Sequence, residues 1–330
     1  MTKQFSFGIL TYNQEKLVIE TLESIKYQIL NYGKGIDIFL YVSDDCSRDN
    51  TVKNIKKWIT FNSELFNNYE IITANENNGT VKSYRAVIDK IKTEKFKIIA
   101  GDDVFSCSNI FEILENKEKI VCYLPLALYG NKLKLYSNYL NNYLVYENMN
   151  RNHDFDCAKV MLGSYVNTPS IFIDRSLIND DVLNFISKFK LMEDDPLLFD
   201  ILKINQDLTI NFDLKIQTLY RMSANSVSNS PTVNQNFYND LIRLKTLFLN
   251  EKTSRLTKFR LKAQINNLKK QKFEQKDLFW FITRLDRFYY NHKSKKYLTD
   301  DVCKYLDDEI QKNQIYYDDI IKKAKEFLAL

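Results

Sequence analysis

Three acidic clusters carry the chemistry open to this chain. Gly101-Asp102-Asp103 follows the apolar run Phe96-Lys97-Ile98-Ile99-Ala100, and Ser43-Asp44-Asp45 follows the run Ile36 to Val42. The third is Leu191-Met192-Glu193-Asp194-Asp195-Pro196. Adjacent carboxylates repel each other unless a cation or hydrogen-bond donors sit between them. A hard divalent ion with a phosphate on its far side is one resolution; capping the next helix is another, so for any single pair both readings stand. In the third cluster, proline favours the first helical position and aspartate the one before it, which makes Asp195 the expected N-cap of a helix running to about 204. Asp194 is then left to face a crevice, where a carboxylate can act as general base.

These residues need a scaffold that gathers them. Phe5 to Leu10 reads as a strand ending at Thr11-Tyr12-Asn13, and Leu17, Leu22, Ile25 and Ile29 recur at helical spacing over 15–30. Ile36 to Val42 is a second strand, with a helix over about 50–62. Tyr69 to Thr73 is a third, followed by the Asn77-Asn78-Gly79 turn and a helix over about 80–92. The run ending at Asp102-Asp103 is the fourth. Alternating β and α elements predict a parallel sheet with helices on both faces. Polar residues at successive carboxyl ends then converge on one crevice. Lys82 and Arg85, after Asn78-Gly79, are placed to reach phosphate oxygens or to lie solvated on their helix. No G-x-G-x-x-G or G-x-x-x-x-G-K-[ST] follows the first strand, so dinucleotide-oxidoreductase and P-loop readings lose their support.

Ile9-Leu10-Thr11-Tyr12-Asn13, Val42-Ser43-Asp44-Asp45-Cys46-Ser47-Arg48-Asp49-Asn50-Thr51, Asn78-Gly79 and Gly101-Asp102-Asp103 together resemble the nucleotide-binding half of glycosyltransferase family 2. The resemblance implies an α/β GT-A fold, Rossmann-like, its mostly parallel sheet flanked by helices. It implies an inverting, metal-dependent enzyme acting on a nucleotide diphosphate sugar, a UDP-sugar foremost. Thr11, Tyr12 and Asn13 would line the base, with Asp45 accepting from the uracil imide and Asp44 supporting that loop. Asn78, Gly79 and Lys82 would complete the nucleotide site. Asp103 would be the direct ligand of Mn²⁺ or Mg²⁺, and Asp102 would lie nearer the ribose and the ion's waters. Asp194 would be the catalytic base and Glu193 would orient it or the acceptor. Tyr220-Arg221 and Ser226-x-Ser228 also match the family, with Arg221 as a diphosphate clamp. Ser223 stands where the family commonly carries a histidine. The acceptor implied is a hydroxyl of a growing surface glycan or lipid-linked oligosaccharide. A nucleotidyltransferase and a non-catalytic sugar-nucleotide-binding scaffold are the competing readings.

Composition narrows the field. Five cysteines without a C-x-x-C and only two histidines, His153 and His292, argue against a disulfide framework or a zinc site and fit a reducing cytoplasm. No apolar run approaches ~18 residues, as a membrane-spanning helix would need. Residues 1–239 hold 26 Lys and Arg against 29 Asp and Glu, whereas 240–296 hold 16 against 5. This step predicts a catalytic domain over 1–231 and a helical region over 232–330, with amphipathic helices near 235–250, 255–270, 275–290 and 299–328. The helical region is expected to pack on the catalytic domain, to join another subunit, or to rest its basic 240–296 face on anionic lipid at the inner face of the plasma membrane. Nucleic acid is not an expected partner, because no motif for it accompanies the charge. Residues 106–168 show a strand from Ile120 to Tyr129, paired with Lys132 to Tyr136, ahead of an Asn- and Tyr-rich stretch.

Overall fold

The computed structural model describes residues 2–136, 170–205, 207–222, 235–249, 254–269, 292 and 298–330. Its first half is the expected α/β unit. β1 (Lys3–Thr11), α1 (Val18–Tyr32), β2 (Ile36–Asp44), α2 (Thr51–Phe61), β3 (Asn68–Thr73), α3 (Thr80–Ile88) and β4 (Lys95–Ala100) follow in turn. The four strands form a wholly parallel sheet in the order β3-β2-β1-β4. Register aligns Thr11 with Asp44 and Leu10 with both Ser43 and Ala100, so three strands end at one level.

Both faces of this sheet are covered, which is why its strands read as near-continuous apolar runs. On one face Phe5, Phe7 and Ile9 pack with Val18, Leu22 and Ile25 of α1 and with Ile55, Trp58 and Ile59 of α2. On the other, Ile98 meets Val81, Tyr84, Val87 and Ile88 of α3. Burying side chains of this size contributes about 1.5–3 kcal/mol each, and it fixes which edge of the sheet is left to chemistry.

A second, mixed sheet adjoins the first. It contains β5 (Val104–Phe105), β6 (Ile120–Tyr129), β7 (Lys132–Leu135), β8 (Ile171–Ile173) and β9 (Asn211–Arg221). The expected pairing of the 120–129 and 132–136 segments is present as the β6–β7 hairpin. β9 lies antiparallel to β5 and parallel to β6. After β8 a 3₁₀ turn spans Arg175–Leu177, then Asn179 accepts the Val182 amide and starts α4 (Asp180–Ile186).

α5 (Asp194–Ile204) begins one residue before its expected cap. Glu193 occupies the cap position, and the Asp194 carboxylate accepts the Asp195 amide at 2.8 Å. The expectation that Asp195 caps this helix is therefore corrected. Pro196 still falls in the first turn, where its missing N–H costs nothing.

The tail supplies α6 (Gln235–Leu249), α7 (Arg255–Lys269) and α8 (Asp300–Ala329). The helix expected near 275–290 lies outside the described residues, as do His153, Ser223 and most of 270–297. Leu244 and Phe248 of α6 and Leu261 of α7 join the core around α3, α4 and α5. Tyr317, Ile320 and Ile321 of α8 pack against β6 and β9, while Ala324 and Phe327 reach the cluster that holds Phe5 and Phe7. The described tail helices thus share the hydrophobic clusters of the two sheets. No described helix is long and apolar enough to cross a membrane.

Candidate active site

The site is assembled at the carboxyl ends of β1, β2 and β4. After β1, Asn13 adopts a φ of 52°, and its side chain accepts the Arg48 amide while its own amide donates to Ser47 Oγ. Tyr12 is left exposed beside buried Thr11. Asp44 ties the two loops: it accepts Thr11 Oγ1 at 3.0 Å and both the amide and hydroxyl of Ser47.

Asp45 spends its carboxylate on the next loop. Oδ1 accepts the Asn78 amide at 2.7 Å and Oδ2 the Gly79 amide at 2.8 Å. Each oxygen keeps a second acceptor direction. Gly79 has a φ of 90°, and a Cβ there would fall 2.5 Å from the Lys190 carbonyl. Only glycine lets the start of α3 lie against the 190–191 backbone, where Val81 donates to that same carbonyl. Lys82 Nζ bonds Asn78 Oδ1 at 2.7 Å, and Arg85 pairs with Asp89 on its own helix.

The acidic pair after β4 is held from several sides. Asp103 is buried; its Oδ1 accepts the Arg221 amide at 2.8 Å and its carbonyl accepts Thr21 Oγ1 at 2.7 Å. Burial raises the Asp103 carboxyl well above the usual carboxylate range, and the Asp102 charge adds to the rise. Asp102 is also raised by burial, with Arg221 and a Gln14 hydrogen bond working the other way. Lys97, enclosed behind the pair with its ammonium on the Ile171 carbonyl at 2.5 Å, is pulled down to about 7 by desolvation. Such a pair gains from a cation placed against it.

The Glu193-Asp194 centre follows the loop on which Gly79 rests. Glu193 is buried and raised well above its ordinary value by desolvation, then by the neighbouring Asp194 charge. Asp194 is half-buried. Arg221 is engaged by buried groups: Nε donates to the Asp102 carbonyl at 2.6 Å, and Nη2 donates to Glu20 at 2.6 Å and Tyr317 at 3.1 Å.

Sequence reasoning missed four contributors. Gln14 lies between Thr11, Gly101 and Asp102, close enough that a Cβ on Gly101 would stand 2.5 Å from its Oε1. That oxygen is buried without a hydrogen-bond partner among the described residues. Asp240 accepts the amides of Lys190 and Leu191. Glu20 and Tyr317 complete the Arg221 network. Gln14 adjoins a quoted motif and was open to discovery; the other three are isolated positions in amphipathic helices.

The family model for glycosyl transferase family 2 matches residues 6–192, over half the chain. The chain belongs to glycosyl transferase family 2. It is accordingly a glycosyltransferase, and its parallel sheet flanked by helices is the GT-A fold. A search of curated proteins by sequence finds no match. Among solved structures, Staphylococcus aureus TarS 1–349 in complex with UDP-GlcNAc is similar at 17% identity and a TM-score of 0.56, covering 98% of this chain and 92% of that one. The longer TarS structure aligns over 97% of this chain and 55% of its own, with a TM-score of 0.55. The mannosyltransferase PcManGT from Pyrobaculum calidifontis, in complex with GDP-Man and Mn²⁺, aligns at 12% identity over 99% and 88%, with a TM-score of 0.53. These likenesses extend the family fold through the tail helices, beyond the matched residues.

A divalent cation fits this glycosyltransferase's donor set. Asp102 and Asp103 offer hard oxygen ligands. No group of three or more His, Cys, Asp or Glu side chains forms a full cage among the described residues. A site of that kind suits an ion that keeps its waters and completes its shell with phosphate oxygens.

Proposed function

We propose that this glycosyltransferase moves a sugar from a UDP-sugar to a hydroxyl of a growing glycan with inversion at the anomeric carbon. What carries the reading is the unbroken run of contacts along one sheet edge. Thr11 bonds Asp44, the Asp45 amide donates to the Thr11 carbonyl, Asp45 holds Asn78 and Gly79, and Gly79 rests on Lys190 ahead of Glu193-Asp194.

Tyr12, Thr11 and Asn13 form the floor for a base, and Asp45 keeps acceptor directions for an imide N–H. Asp103, with Asp102, would hold Mn²⁺ or Mg²⁺; when bound, that ion offsets charge on the departing diphosphate. Asp194 takes the proton of the acceptor hydroxyl while that oxygen attacks the anomeric carbon. The bond to the diphosphate breaks on the opposite side, and UDP leaves with the electron pair. Glu193, whose protonated form burial favours, orients Asp194. The acceptor belongs to surface polysaccharide or lipid-linked oligosaccharide synthesis in this reading.

UDP release from a panel of UDP-sugars with Mn²⁺, in wild type and Asp194→Asn, tests the assignment. Loss of acceptor-dependent turnover by 10²-fold or more with UDP affinity retained is expected. Turnover unchanged by the substitution removes Asp194 as base.

A further inference from the structure

We infer that Glu20, Arg221 and Tyr317 form a buried relay through which the C-terminal helix sets the geometry of the cation-holding acidic pair. The inference rests on the proposed role of Asp103.

Two strands of observation meet at Arg221. Toward the pair, its backbone amide fixes Asp103 Oδ1 at 2.8 Å and its Nε fixes the Asp102 carbonyl at 2.6 Å. Away from the pair, Nη2 meets Glu20 Oε2 at 2.6 Å and Tyr317 Oη at 3.1 Å; Tyr317 itself donates to that Glu20 oxygen at 2.8 Å. One α1 carboxylate oxygen thus receives a guanidinium and a phenol from elements 201 and 297 positions along the chain. All three side chains are buried, Tyr317 fully.

Anchoring of Nε by a backbone carbonyl and of Nη2 by a carboxylate and a phenol, in a low-dielectric interior, makes this a stiff joint. A guanidinium held at both ends has little freedom to swing toward a diphosphate. Arg221 is therefore a positioning residue: it sets where the Asp103 oxygen points and screens the repulsion between the two carboxylates. Thr21, next to Glu20, donates to the Asp103 carbonyl, so α1 reaches the pair twice. Tyr317 closes the joint from α8, and the oxygen spacing that a small octahedral cation demands then depends on a helix from outside the sheet.

The test uses the full-length enzyme and measures Mn²⁺ binding in the presence of UDP, by titration of the Mn²⁺ paramagnetic signal, alongside thermal unfolding. Tyr317→Phe removes the hydroxyl and keeps the ring; it is expected to weaken Mn²⁺ binding about tenfold while leaving metal-free UDP binding unchanged. Glu20→Gln is expected to weaken it similarly. Phe327→Leu, on the same helix and away from the relay, is the control: it lowers the melting temperature and leaves Mn²⁺ binding at the wild-type value. Wild-type Mn²⁺ affinity in Tyr317→Phe and Glu20→Gln, with only stability lost, overturns the relay. Asp103→Asn separates the two inferences. If it abolishes Mn²⁺ binding, the Tyr317 result judges the relay alone; if it binds Mn²⁺ as wild type does, the metal assignment fails and the relay falls with it.

Discussion

Asp240 Oδ2 accepts the Lys190 amide at 2.8 Å across fifty positions, and the Leu191 amide at 2.7 Å. A side chain of α6 thereby holds the loop on which Gly79 rests and from which Glu193-Asp194 follows. Arg243, one turn on, donates to the Lys188 carbonyl of the same loop. Asp240→Ala leaves two amides without their acceptor in a half-buried setting, a cost of about 1–2 kcal/mol. Chemical denaturation should show that loss, and kcat should fall about tenfold at saturating donor. Asp240→Asn keeps an acceptor and should recover most of both. Unchanged kcat in the alanine variant would make Asp240 a matter of stability only.

Gly79→Ala addresses the other side of that contact. A side chain is strained at this backbone angle, and its Cβ would press the Lys190 carbonyl. Strain of this kind costs roughly 1–3 kcal/mol, and relieving it means parting α3 from the 190–191 backbone. We expect a higher KM for the donor together with a lower kcat, because Asp45 and the Asp194 loop shift together. A variant with wild-type kinetics would show that the two loops are not coupled.

Glu193 supplies a pH signature. Its folded value is raised above the ordinary 4.5, so between 4.5 and the raised value the native state binds more protons than the unfolded chain. Stability from this group is present at acid pH and declines as pH rises, by at most about 1.4 kcal/mol per pH unit. Glu193→Gln lacks that dependence. The melting-temperature difference, variant minus wild type, should increase from pH 4.5 upward; a flat difference would refute the upward shift of the Glu193 carboxyl.

The strand ends were legible because each apolar run stopped at a polar cluster, and a sheet covered on both faces leaves chemistry only there. Thr11, Asp45, Gly79 and Asp102 could be set on one edge from spacing alone, and the parallel order follows from β and α alternation. The second sheet was harder: β5 is two residues long, and its partner β9 lies more than a hundred positions away. Asp195 misled because Pro196 suggested a cap two residues late, whereas the Asp194 carboxylate takes up the next amide itself. Tyr317 was hidden for another reason. It falls on the apolar stripe of α8 beside Tyr316 and Ile320, and nothing in that spacing separates a core ring from one whose hydroxyl serves Glu20.

Because Tyr317 and Phe327 close contacts with α1 and β1, the order of synthesis matters. A ribosome delivers the sheet, all three acidic motifs and Arg221 well before the residues that lock them. Until the last helix emerges, Glu20 and Arg221 face each other without their phenol, and the Phe5–Phe7 cluster lacks its cover. The nascent chain should therefore acquire its secondary structure early and its competence late, with chaperone binding concentrated on the first strand and helix in that interval.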